Sequence, residues 1–149
     1  LKVYVIDASV AIKWLFEEVH QPEARRYLTS PYNRIAPDII VLEIASAIQK
    51  KVRLGTIQTR LGFESVRLLQ SAESLILFPF AELLERAYQL ATELNHAVYD
   101  CLYLALALNQ DAILVTADRK FFDRVTSSPY KNRIAWVQEP PQKITTGQT

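Results

Sequence analysis

Lys2-Val3-Tyr4-Val5-Ile6-Asp7-Ala8-Ser9-Val10 begins as a strand and ends on an acid. Residues 2–6 are rich in β-branched and aromatic side chains and close on an unbroken apolar run, the pattern of a strand buried on both faces. Asp7 falls where that strand must stop. Beyond it, Val10, Ile12, Trp14, Leu15 and Phe16 take helical spacing over residues 8–16. A buried strand feeding directly into a helix is the opening of a parallel α/β sheet.

The same alternation runs down the chain. The spacing predicts a short helix over Glu23–Thr29 behind Pro22, and a short strand at Ile35-Ala36. Pro37 is expected at the first helical position of a long helix reaching Arg53, and Thr56 is expected to cap a helix to Ser71. Leu75–Phe78 reads as a strand, Ala81–Leu94 as an amphipathic helix and Val98–Leu108 as a nearly all-apolar one. Ala112–Val115 (strand), Asp118–Arg124 (helix) and Ile134–Val137 (strand) complete the ordered part. Glu139-Pro140-Pro141 opens a stretch without periodicity, expected to be a loose extension.

With 149 residues, half of them apolar and 22% charged, the chain suits one core-forming domain. Its single cysteine, Cys101, excludes a disulfide framework and reads as a small buried hydrophobe in a reducing compartment. No apolar run approaches a membrane span, and charges at Lys2, Asp7, Lys13, Glu17 and Glu18 break any signal-peptide core, so a cytoplasmic protein with no membrane partner is expected. One cysteine and no paired histidines exclude zinc modules. The net charge of +1 discriminates little. Locally, Arg119, Lys120, Arg124, Lys131 and Arg133 face one acid, Asp123, a basic stretch suited to phosphodiesters or simply to solvent.

Most of the sixteen acids lie on ordinary polar helix faces. Asp7, Glu43, Asp100 and Asp118 instead interrupt apolar runs. Each has a structural alternative: Asp7 and Asp118 as helix caps, Asp100 as a first-turn acid, Glu43 in a polar stripe with Ser46 and Lys50. If the four converge, mutual repulsion calls for a cation among them, and an all-oxygen set suits Mg²⁺ or Mn²⁺. Spacing alone does not show convergence. His20 and His96 are expected on the surface, with His96 four residues before Asp100 and within reach of a minor contact.

Four segments carry a resemblance: residues 5–10, residues 36–47, Val98-Tyr99-Asp100-Cys101-Leu102-Tyr103-Leu104-Ala105-Leu106-Ala107, and Leu114-Val115-Thr116-Ala117-Asp118-Arg119. In order and separation they resemble the blocks of PIN-domain ribonucleases, most closely the VapC-like toxins of toxin–antitoxin pairs. The resemblance covers nearly all of residues 2–137. It implies a nuclease domain over 1–137, an irregular tail over 138–149, and a three-layer α/β/α sandwich with a central parallel sheet.

It also implies an acidic site of Asp7, Glu43, Asp100 and Asp118 holding one or two Mg²⁺ or Mn²⁺ ions. Asp7, Asp100 and Asp118 would be ligands, and Glu43 a ligand or general base. Ser9 and Thr116 match small hydroxyl positions that support the carboxylates. Where many relatives carry a further acid, this chain has Lys120, with Asp123 a poorly matched substitute. RNA is the implied substrate, with Arg119, Lys120 and Arg124 as candidate contacts. A homodimer and a cognate antitoxin are the implied protein partners, the antitoxin laying an apolar helix in a groove. The apolar side chains of residues 10–16 either pack inward or stay exposed to serve such contacts. The competing readings are a non-cleaving RNA- or protein-binding module, an orphan nuclease that is no toxin, and a phosphatase or flap-nuclease-like hydrolase.

Overall fold

A computed structural model describes residues 2–71 and 73–143. Five strands form one parallel sheet: β1 (Val3–Ile6), β2 (Asn33–Pro37), β3 (Ile76–Phe78), β4 (Ile113–Thr116) and β5 (Ile134–Trp136), in the order β3-β2-β1-β4-β5. Between them run α1 (Ala8–Leu15), α2 (Gln21–Leu28), α3 (Ile39–Arg53), α4 (Thr59–Ser71), α5 (Phe80–Leu94), α6 (Val98–Asn109) and α7 (Arg119–Thr126). The chain steps one way from β1 to β3 and the other way from β4 to β5. Right-handed crossovers therefore put α1–α4 on one face and α5–α7 on the other. This is the expected α/β/α sandwich.

Its core follows from the apolar runs. Val5, Ile6, Leu114 and Val115 are fully buried in the two central strands. Residues 101–107 of α6 are buried all round, which explains why that helix lacks a polar face. Cys101 is among them, and burial pushes its thiol up to about 12. Among the described residues no helix is long and apolar enough to cross a membrane.

Two helix starts differ in kind from expectation. Pro37 does not open α3; it is the last residue of β2, paired with Phe78. Proline has no N–H to give the ladder, and Asp38 restores the pairing by donating to the Phe78 carbonyl at 2.8 Å. Thr56 does not cap α4, which starts at Thr59. Gly55, at φ 74°, turns the chain so that the N–H groups of Gly55 and Thr56 bond the last carbonyls of α3, at Val52 and Lys51.

Most of the apolar cluster of residues 10–16 packs inward: Val10 and Ile12 are buried, and Trp14 and Phe16 lean on the core, while Leu15 stays exposed. Further exposed apolar side chains include Phe63 and Leu68 of α4 and Leu84 and Tyr88 of α5. Residues 138–143 have irregular backbone but are not loose. Gln138 accepts from Arg26, Glu139 from the Tyr27 hydroxyl and Gln142 from the Tyr32 hydroxyl, while the Gln142 N–H donates to Tyr4. The remainder of the tail, 144–149, lies outside the described residues.

Candidate functional site

Reversal of strand order occurs between β1 and β4, and parallel sheets gather ligands beyond the carboxyl ends of the strands at such a point. Asp7 follows β1 there, and its N–H donates to the Val115 carbonyl of β4 at 3.1 Å. Its carboxylate does not cap α1. Instead Ser9 and Thr116 both donate to its Oδ2, at 2.6 and 2.7 Å. Those hydroxyls in turn accept the N–H groups of Ala117 and Asp118, which locks the end of β4 around Asp7. Oδ1 of Asp7 has no hydrogen-bond partner among the described residues and is not sealed from solvent.

Asp7 is only 4% exposed. Burial is the main reason its carboxyl is pushed up to about 7; the two hydroxyls oppose the rise, and the charges of Asp100 and Glu43 add to it. Glu43, half-buried on α3, accepts from the Tyr103 hydroxyl at 2.6 Å, so it does not belong to the exposed stripe of Ser46 and Lys50. Its carboxyl is raised by burial and by the Asp100 charge, against the Tyr103 bond. Asp100, in the first turn of α6, is raised by burial and by the Asp118 charge, against its bond to His96. The electrostatic couplings thus link all four acids. Asp118 is the N-cap of α7, its Oδ1 accepting from the Phe121 N–H at 3.2 Å.

His96 is not a surface residue. Its side chain is 7% exposed, with Nε2 2.6 Å from Asp100 Oδ2 and its ring stacked on buried Phe121. The reach of His96 to Asp100 accords with its i,i+4 spacing; Tyr103 on the apolar helix is a site residue that sequence reasoning missed. Nothing local announced it, 60 residues from Glu43.

An open hollow of about 520 Å³ is lined by His96, Asp100, Asp118, Lys120 and Arg124. Arg119 is not part of it. Its guanidinium lies 3.9 Å over the Trp136 ring and 5.4 Å from Phe122, and is 3.9 Å from Asp123. Asp123 therefore faces Arg119 on another side of α7. It does not line the hollow beside Lys120.

Among the described residues no three His, Cys, Asp or Glu side chains are gathered as a ready set of cation ligands. Each acid is turned toward a protein donor instead. The chemistry of the set nevertheless fits a hard dication: oxygen donors only, with the carboxyls of Asp7, Glu43 and Asp100 raised by burial and by the charge of neighbouring acids.

The family model of the PIN domain matches residues 4–127. The chain is a PIN-domain protein. Within that family it falls among VapC-like proteins. It is 30% identical to Ribonuclease VapC9 of Mycobacterium tuberculosis over 122 residues, covering 80% of this chain and 88% of that one. It is 26% identical to Ribonuclease VapC3 of Pyrobaculum aerophilum over 121 residues, covering 80% and 92%. A toxin–antitoxin complex from Klebsiella pneumoniae shares the fold, with TM-score 0.61, 18% identity and coverage of 89% of this chain and 95% of that one.

Proposed function

We propose that this PIN-domain protein is a divalent-metal-dependent endoribonuclease acting as the toxin of a toxin–antitoxin pair in the cytoplasm. The observation that carries the reading is the electrostatic linkage of Asp7, Glu43, Asp100 and Asp118 at the switch point of a parallel sheet. Asp7, Asp100 and Asp118 would hold one or two Mg²⁺ or Mn²⁺ ions. When bound, such a cation supplies Lewis acidity toward the phosphate and lowers the pKa of a coordinated water.

The chain's own residues do the rest. Ser9 and Thr116 hold Asp7 by Oδ2 and leave Oδ1 without a protein partner among the described residues. Glu43, with its carboxyl raised and anchored by Tyr103, is suited to ligate or to accept a proton from the attacking water. Lys120 and Arg124 line the hollow beside Asp100 and Asp118 and would pair with the RNA phosphates.

Two protein partners belong to the same reading. Family resemblance supports a homodimer. It also supports an antitoxin whose apolar helix would fit a groove of about 400 Å³ lined by Trp14, Leu15, Val41, Leu68, Leu69 and Leu77.

The test is cleavage of RNA by purified protein with Mn²⁺ or Mg²⁺, stopped by EDTA. Asp7→Asn and Asp100→Asn should each lose activity by orders of magnitude while staying folded, because a neutral amide is a poor ligand for a hard cation. Undiminished cutting by both folded variants would overturn the site. Light scattering should give twice the monomer mass, and co-expression with the cognate antitoxin should relieve growth arrest.

A further inference from the structure

Asn95, in the left-handed conformation at φ 51°, ends α5, and the His96 N–H turns back to the Ala91 carbonyl at 3.0 Å. That turn delivers the imidazole to the first turn of α6, four residues before Asp100. Two contacts fix the ring there. Nε2 lies 2.6 Å from Asp100 Oδ2, and the ring plane stacks on Phe121 at 4.9 Å and 25°. Toward an ionised carboxylate Nε2 is the donor.

Phe121 is fully buried, and its own N–H bonds Asp118 Oδ1 at 3.2 Å. One residue therefore supports two acids, Asp118 through its backbone and Asp100 through the histidine stacked on its ring. Oδ1 of Asp100 and Oδ2 of Asp118 keep no protein partner among the described residues.

We propose that His96 is a positioning residue that, clamped by Phe121, fixes the Asp100 carboxylate relative to Asp118 and so preorganises the pair for a divalent cation. The inference rests on the acidic site being a cation site. Hydrogen bonds to ligating side chains hold the donor atoms in place before the ion arrives. A ring needed only for packing would not require a nitrogen at that position; phenylalanine would stack equally well.

That contrast supplies the experiment. His96→Phe keeps a ring on Phe121 and removes the donor, whereas His96→Gln places an amide nitrogen near the position of Nε2 and gives up the stack. Mn²⁺ is titrated calorimetrically into wild type, both variants and Asp100→Asn at one fixed, mildly alkaline pH, and each protein's melting temperature is read in EDTA. The expected result is a Mn²⁺ affinity about 10-fold weaker in His96→Phe, with most of the affinity retained in His96→Gln and both proteins folded. If His96→Phe does not fold, His96→Leu takes its place in the comparison. Wild-type affinity in His96→Phe, or an equal loss in His96→Gln, would overturn the positioning role while leaving the cation site standing. Wild type that takes up no more Mn²⁺ than Asp100→Asn would overturn the cation site, and this inference with it.

Discussion

Thr116 donates its hydroxyl to Asp7 Oδ2 at 2.7 Å, joining residues 109 apart across the two central strands. Thr116 Oγ1 also accepts the Asp118 N–H at 3.0 Å, so one side chain satisfies two groups of the acidic site. Thr116→Val preserves shape and removes both bonds. Hydrogen bonds to charged groups contribute about 1.5–3 kcal/mol, and an orphaned N–H adds to the loss. Urea unfolding in EDTA should show Thr116→Val destabilised by roughly 2–3 kcal/mol, and Thr116→Ser far less. Equal midpoints for Thr116→Val and wild type would show that the bond contributes nothing net.

Asp7 makes the metal-free fold sensitive to pH. Its carboxyl is raised from the ordinary 3.8 to about 7, chiefly by burial. Between those values the folded state holds a proton that the unfolded state has released, so stability falls as pH rises through that window. The full penalty, on the order of 4 kcal/mol, is present above about pH 7 and absent below about pH 4. Glu43 and Asp100, also raised, act with the same sign. Asp7→Asn should therefore melt higher than wild type in EDTA at pH 8, with the gap closing as the pH is lowered. A gap independent of pH would contradict the buried, repelled carboxylate.

The two predictions draw on features of unequal legibility in sequence. Asp7 and Asp118 could be located because each follows an apolar strand, and the physics of parallel sheets places such residues at one edge. Asp100 and Glu43 stand out as acids inside apolar runs. The reach of His96 to Asp100 is local, four residues away, but its burial is not legible, and the bond of Tyr103 to Glu43 depends on how helices 60 residues apart pack. His96 in particular needed α7 in place, since Phe121 supplies the surface that buries its ring. A missing N–H suits a strand end as well as a helix start, so Pro37 alone does not distinguish the two. The basic run is one block in the sequence, whereas helical spacing puts Lys120 and Arg124 on one face of α7 and Arg119 with Asp123 on another.

Asp118 is both cap and candidate ligand, and the roles separate. Its Oδ1 accepts from the Phe121 N–H, which Asn can also do. Asp118→Asn should keep the wild-type melting temperature in EDTA and lose RNA cleavage. Asp118→Ala should lose cleavage and also about 1 kcal/mol of stability, the usual contribution of an N-cap. Full activity in folded Asp118→Asn would remove Asp118 from the ligand set and leave it as a cap.

Lys120 and Arg124 share the hollow with Asp100 and Asp118, whereas Arg119 is stacked on Trp136 and faces Asp123. Charge alone would treat the three alike; geometry does not. A phosphate contact releases condensed counterions, so removing one both weakens RNA binding and flattens its dependence on salt, by about 0.7 in log–log slope for a single strand. Lys120→Ala and Arg124→Ala should each show that flattening, measured with Asp100→Asn as background so that RNA is bound and not cut. Arg119→Ala should leave the slope unchanged. It should instead lower stability modestly, through loss of a cation–π contact worth about 0.5–1 kcal/mol at an exposed site. If Arg119→Ala alone flattened the slope, RNA would have to run over the Trp136 side of α7 and not through the acidic hollow.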